Sequence, residues 1–272
     1  MLRGFRSGAA ASLPRRILRT VCCLAAIVLA LAPARAEGPP TVEVSGGGEI
    51  GAHIWSVHTS TTMALAGWLS GVPKSIREDG WRFKVGAGYW EFARKDRQGF
   101  PATTDPRRTV RMTGSFAEML LGYHKSLGAL TLKAYAGIDY ATSSGAYDGF
   151  AWRPDFDALG AKILVESWYN LTPDAFFQLD VSWSSRREEY AGRARLGYRI
   201  MPSLALGPEV AYWSAKSDPI YPAWYGSRDD LIRTGGFIRY EWQAGEVSLS
   251  GGLADDGRDD AFYATLNALL RF

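Results

Sequence analysis

About a dozen segments of roughly ten residues each alternate apolar and polar side chains with period two, the pattern of strands that cross a membrane as a closed barrel. The clearest runs from Trp81 to Glu91. Trp81, Phe83, Val85, Ala87 and Tyr89 share one face; Arg82, Lys84, Gly86, Gly88 and Trp90 share the other. Leu132 to Tyr140 repeats the pattern, with Lys133, Tyr135, Gly137 and Asp139 on its polar side. Phe176 to Ser184 does the same, with Gln178, Asp180, Ser182 and Ser184. An apolar outer face around a polar inner one suits a lumen holding water or salt bridges. The final segment, Phe262 to Phe272, alternates strictly and ends on an aromatic, as the closing strand of an outer-membrane barrel does. A soluble sandwich would leave the polar faces exposed and the terminal Phe272 unexplained.

Turn residues punctuate the pattern. Tight turns are expected at Lys125–Gly128, Leu171–Asp174, Met201–Ser203 and Gln243–Gly245, and long polar loops near 94–108, 142–157 and 215–230. Short turns on one side and long loops on the other are a barrel's signature. The segments predict strands near 48–58, 61–71, 80–93, 112–124, 129–141, 160–170, 175–185, 190–200, 204–214, 231–242, 246–253 and 261–272. That is an all-β, antiparallel up-and-down transmembrane barrel of about twelve strands with both termini in the periplasm. Ten or fourteen strands remain open, because the Gly-rich start and the weak turn at Thr59–Thr62 are ambiguous. Trp81, Tyr89, Tyr123, Tyr140, Tyr169, Trp183, Tyr198, Tyr212, Tyr240 and Trp242 fall near strand ends on the outward face, where interface girdles belong.

The first 36 residues read as a cleaved secretory signal peptide. Arg3, Arg6, Arg15, Arg16 and Arg19 precede an apolar run from Val21 to Ala32, and Ala34-Arg35-Ala36 is a small-x-small cleavage site. The apolar run is about 12 residues, short of the roughly 20 a spanning helix needs. Residues 37–47 are expected to form a short periplasmic segment and 48–272 the barrel. Six of the 31 basic residues leave with the leader, so 25 remain against 28 acidic residues, a net of −3. Nothing in that balance calls for a nucleic-acid partner. Cys22 and Cys23 leave as well, so the mature chain carries no disulfide.

Several stretches resemble a known family. They are Asp79-Gly80-Trp81-Arg82-Phe83 with Gly86-Ala87-Gly88-Tyr89, Leu121-Gly122-Tyr123-His124 running into Leu130 to Gly137, Arg195-Leu196-Gly197-Tyr198-Arg199 before Leu206-Gly207-Pro208-Glu209, and Tyr263 to Asn267 before Arg271-Phe272. Together, over roughly 47–272, they are similar to the cellulose biosynthesis protein BcsS of alphaproteobacteria. The resemblance implies a role in cellulose or exopolysaccharide production, export and biofilm formation. It also implies a place in the outer membrane of a Gram-negative bacterium, among outer-membrane lipid, a β-glucan chain and other secretion components. It brings no defined active site.

The residues themselves argue against an enzyme. Only His53, His58 and His124 could serve as a base, and His58, near the expected outer rim beside Thr59 and Ser60, reads as a solvated loop-edge residue. Scattered histidines without cysteine give no metal-ligand spacing, and no cofactor motif is present. Two candidate binding regions emerge instead. The first is the lumen wall: Arg82, Lys84, Lys133, Asp139, Asp180, Arg193, Arg195, Arg199, Glu209, Arg233 and Arg239, with Glu118, Lys162, Glu166, Glu241 and Arg271 beside them, a net basic set. Such charges either stiffen the barrel as salt bridges or orient a hydroxyl-rich or anionic substrate. The second is a group of loop aromatics, Tyr147, Trp152, Tyr221, Trp224 and Tyr225, which either stack on sugar rings or pack on one another over the mouth. The functional expectation is a glucan-contacting channel or binding barrel. A scaffold barrel for a secretion complex is the alternative, and a surface enzyme the more distant one.

Overall fold

The computed structural model describes residues 39–51, 53–65, 75–95, 109–147, 155–216, 228–255 and 260–272. The chain divides into two units, Met1–Arg35 and Ala36–Phe272, and every described residue belongs to the second. Twelve antiparallel strands close on themselves: β1 (Val42–Gly51), β2 (Ile54–Ala64), β3 (Gly80–Lys95), β4 (Thr109–Leu127), β5 (Leu130–Tyr147), β6 (Asp155–Asn170), β7 (Ala175–Ser184), β8 (Glu189–Met201), β9 (Leu204–Lys216), β10 (Arg228–Trp242), β11 (Gly245–Asp255) and β12 (Asp260–Arg271). Each strand pairs with its sequence neighbours, and β1 pairs with β12 to complete the ring. The last residue takes part in that seam. The Phe272 amide donates to Val42 O (2.9 Å), and its carbonyl accepts from the Thr41 and Val42 amides (2.6 and 3.0 Å).

The two faces have opposite chemistry. Large apolar residues stand exposed on the outside, among them Trp81 (52%), Leu159 (68%) and Phe262 (80%), while Arg82, Asp139, Arg195 and Arg239 are buried inside. A soluble protein inverts that arrangement; a barrel in lipid requires it. No helix among the described residues is long and apolar enough to cross a membrane. At the end where β1 begins and β12 finishes (the terminal end), the aromatic belt includes Trp81 edge-on to Tyr123 (5.5 Å) and Tyr240 stacked with Trp242 (6.1 Å).

Three expectations about the strands change. The barrel begins at Val42, not Gly48, and the first hairpin turns between Gly51 and Ile54 rather than at Thr59–Thr62. Ser45–Gly48, which reads as a loop, is strand interior. A Cβ on Gly47 would lie 2.3 Å from Asn267 Oδ1 and 2.9 Å from His58 Cε1, so neighbouring side chains occupy the space where one would go. His58 accordingly sits mid-strand, opposite Gly47 and Gly88, and it is His53 that lies at the rim. The ladders of β4 to β6 also run further than expected, through Tyr147 and from Asp155, because the Thr142-Ser143-Ser144 arm continues to pair. Three of the four tight turns fall where expected, whereas the one between β4 and β5 narrows to Gly128–Ala129 because Lys125–Leu127 pair with Leu130–Leu132; all four lie at the terminal end.

Residues 75–79, which lead into β3, cross the mouth at the terminal end. Ile76 is buried, and its amide donates to Pro40 O (2.6 Å). Arg77 donates to Gln243 O in the β10–β11 turn (2.9 Å). Asp79 closes this contact: Lys125 Nζ lies 2.5 Å from Oδ2 and the Ser126 amide donates to Oδ1 (2.7 Å). The Lys125 hydrogen bond, reinforced by that amide, holds the Asp79 carboxyl below the usual carboxylate range. A depressed carboxylate stabilises the fold above its unfolded pKa and loses that contribution as pH falls through its folded value. The Ser126 amide chemical shift is therefore expected to titrate with a midpoint below about 3.9, the ordinary aspartate value. A midpoint at or above that value would exclude the clasp.

Candidate functional site

Period-two geometry turns every polar face inward, and the barrel's closure then decides which charges meet. On one wall, Arg195 Nε donates to Glu209 Oε2 (2.5 Å), and Ser250 Oγ donates to the same oxygen (3.1 Å). Arg195 Nη2 donates to Ser250 (2.9 Å), and the Tyr263 hydroxyl donates to Glu209 Oε1 (3.3 Å). This cluster joins β8, β9, β11 and β12. Next to it, Arg193 Nε and Nη2 donate to Asp180 Oδ2 (3.2 and 2.7 Å), which also accepts from Gln178 Nε2 (2.9 Å). Arg233 pairs with Glu49 of β1. Lys162 pairs with Glu118 (2.6 Å). Asp139 accepts from Ser184 Oγ (2.9 Å) and lies 3.4 Å from Arg186 Nε.

A second cluster spans the lumen. Lys133 of β5 lies 3.5 Å from Glu43 of β1 and 3.6 Å from Glu166 of β6. Glu43 also pairs with Arg271 (3.2 Å), and Glu166 with Lys84 of β3 (2.6 Å). Strands β2, β3 and β4 lie between β1 and β5 around the wall, so the Glu43–Lys133 contact reaches across the interior rather than along it. Buried ion pairs add little net stability, but they fix which parts of a structure stay together.

Arg82 belongs to neither cluster. Its guanidinium donates to the carbonyls of Ser75 (3.3 Å), Ile76 (3.2 Å) and Glu78, and His124 Nδ1 lies 3.2 Å from Ile76 O. The wall residue expected to meet substrate instead holds the β2–β3 connection in the mouth.

Arg199 and Arg239 mark a third region, at the terminal end of β6 to β10. Trp168 stacks on Phe176 (4.0 Å, 20°), and the Arg239 guanidinium lies 4.2 Å from the Trp168 ring centre and 4.5 Å from that of Phe176. Arg199 lies 5.0 Å from Phe176, and Arg195 lies 4.9 Å from Phe237. These are cation–π distances. The rings lie on small residues. A Cβ on Gly197 would fall 2.0 Å from Phe176 Cζ, so only glycine lets that ring lie flat on β8. Phe176 is fully buried, which leaves the partly buried Trp168 as the ring that the stack turns toward the lumen.

Every lumen residue singled out from sequence faces inward, and most of those charges have a partner. The basic surplus expected of the wall shrinks, because Glu43, Glu49 and Glu246 join the inward acids. Their faces were readable from alternation with Val44, Ile50 and Val247, once the strand is known to start at Val42. Trp168, Phe176, Phe237 and Gln178 were not singled out, although Glu166, Trp168 and Asn170 alternate on one face. Among the loop aromatics, Trp152, Tyr221, Trp224 and Tyr225 lie outside the described residues, as does the Tyr147 side chain. Among the described residues no group of three His, Cys, Asp or Glu could hold a metal ion.

The fold is that of outer-membrane barrels. The β domain of the Bordetella autotransporter Brka is 12% identical with a TM-score of 0.50, over 86% of this chain and 100% of that one. The translocator domain of autotransporter NalP from Neisseria meningitidis is 10% identical (TM-score 0.49; 98% and 100%), and the KdgM porin 11% identical (TM-score 0.44; 85% and 99%). At such identities the likeness concerns the fold alone. No curated protein sequence matches the chain. Residues 51–272 match the family model described as cellulose biosynthesis protein BcsS, so nearly the whole barrel is covered and the chain belongs to that family.

Proposed function

We propose that the chain is an outer-membrane accessory barrel of cellulose secretion that binds a β-glucan chain at its periplasmic mouth and does not conduct it through an open lumen. The terminal end is the periplasmic one in this reading, as in barrels whose short turns face the periplasm. Lys133 carries the proposal. By bridging Glu43 and Glu166 it ties β1, β5 and β6 together across the interior, at a level a glucan chain would have to pass. Residues 75–79, ahead of β3, add a second obstruction at the same mouth. The family's part in cellulose biosynthesis supports the glucan. The test combines two measurements on refolded protein: titration with cellohexaose by calorimetry and single-channel recording in planar bilayers. Saturable binding with little steady conductance is expected. Absence of binding, or a large steady conductance, would refute the reading.

A further inference from the structure

We infer that the Trp168 shelf at the terminal mouth is a binding site for a neutral, hydroxyl-bearing sugar ring, the unit of a β-glucan chain. The inference rests on the glucan reading above and says where the contact is made.

The shelf combines three things a pyranose needs. The first is a flat apolar surface. Trp168 is held rigid by its stack on Phe176 and by its indole N–H, which donates to Asn170 Oδ1 (3.1 Å). A ring fixed in this way loses little rotamer freedom when another flat face packs on it.

The second is a donor. Arg239 is 1% exposed, and its Nη2 has no hydrogen-bond partner, while Nε lies 2.8 Å from Glu241 and Nη1 3.9 Å from Glu246. A buried donor left unpaired is costly, and a ligand oxygen can recover that cost. Arg199 adds a second cation beside it, bonded to the Pro173 carbonyl (3.0 Å) and Asn170 Oδ1 (3.2 Å).

The third is an acceptor, and it decides the ligand's class. Gln178 is the register partner of Trp168 and so lies beside it on the wall. Its Nε2 donates to Asp180, which as a carboxylate can only accept, so the amide orientation is fixed and Oε1 is the atom left over. That oxygen is buried without a partner. An anion would satisfy Arg239 but would be repelled by an amide oxygen. A hydroxyl group both donates and accepts, so a ring carrying several satisfies Arg239 and Gln178 together while its C–H face lies on Trp168.

The test uses full-length refolded barrel and calorimetric titration with cellohexaose. Trp168→Ala and Gln178→Leu are each expected to weaken binding about ten-fold or more, the equivalent of one lost good contact. Trp81→Ala, which alters a lipid-facing ring, is expected to leave affinity unchanged. Gln178→Leu keeps side-chain volume, so it carries the test if Trp168→Ala fails to show heat-modifiable mobility. Cellohexaose is expected to bind more tightly than an acidic oligosaccharide of equal length. Wild-type affinity in the folded Gln178→Leu and Trp168→Ala variants would overturn the site while leaving glucan binding in place. No binding by the wild type would overturn both. Preference for the acidic chain would overturn the neutral-sugar assignment.

Discussion

Replacing Glu209 by leucine is expected to destabilise the barrel by about 3–5 kcal/mol, the usual cost of removing one partner of a buried ion pair. The side chains of Arg195 and Glu209 are only 3% and 4% exposed, so water cannot take over when the carboxylate is gone. The loss spreads beyond the pair. Ser250 and Tyr263 would lose their shared acceptor, and Arg195 would keep only Ser250 and the face of Phe237. The measurement is the urea midpoint for loss of heat-modifiable mobility, compared with wild type. The double variant Glu209→Leu with Arg195→Met should recover most of the loss, because replacing both members removes the orphaned charge as well. A single variant no less stable than the double would mean that the pair is hydrated and that the lumen at this level is wet.

That cluster also marks how far the sequence could be read. Alternation made the face of Arg195 and Glu209 legible, since a strand offers only two sides. Strands such as Leu132–Tyr140 stood out because lipid demands apolar residues on one side without interruption. The first hairpin did not, because Gly46-Gly47-Gly48 has the composition of a loop. The neighbouring His58 and Asn267 side chains and the Leu266 carbonyl explain why glycine is required at Gly47 within that strand. Partners were less legible than faces. Arg193 meets Asp180 on the adjacent strand, a match that register alone implies. Lys133 meets Glu43 from four strands away, which depends on how the barrel closes and has no local signature. Trp168 escaped notice because an aromatic near a strand end reads first as a girdle residue, and parity separates it from Tyr169 by one position. Arg82 faces inward as expected, yet its role depends on the carbonyls of Ser75, Ile76 and Glu78 just ahead of β3 turning toward it.

Lys133→Ala is expected to raise single-channel conductance several-fold while leaving assembly intact, and the reason lies in how the cluster shares its charges. Lys133 is bonded to two carboxylates, and each of these has a second cation: Glu43 has Arg271 at 3.2 Å, and Glu166 has Lys84 at 2.6 Å. Removing Lys133 therefore strands no buried charge, in contrast to the loss of Glu209, and the stability cost stays small. What disappears is the only contact among these residues that spans from β1 to β5. Arg271 and Glu43 sit on paired strands, and Lys84 and Glu166 still join β3 to β6, which leaves β1 without a link to β5. The lumen should widen where a long side chain crossed it, while the shelf around Trp168 at the terminal end keeps its affinity for cellohexaose. Separating the two readouts matters, because a pore that conducts glucan would gain throughput from the same change. Higher ion conductance with unchanged sugar affinity and no gain in cellulose output is the outcome a binding barrel requires. Greater output from cells carrying the variant would instead show that glucan passes through this lumen and that Lys133 limits its passage.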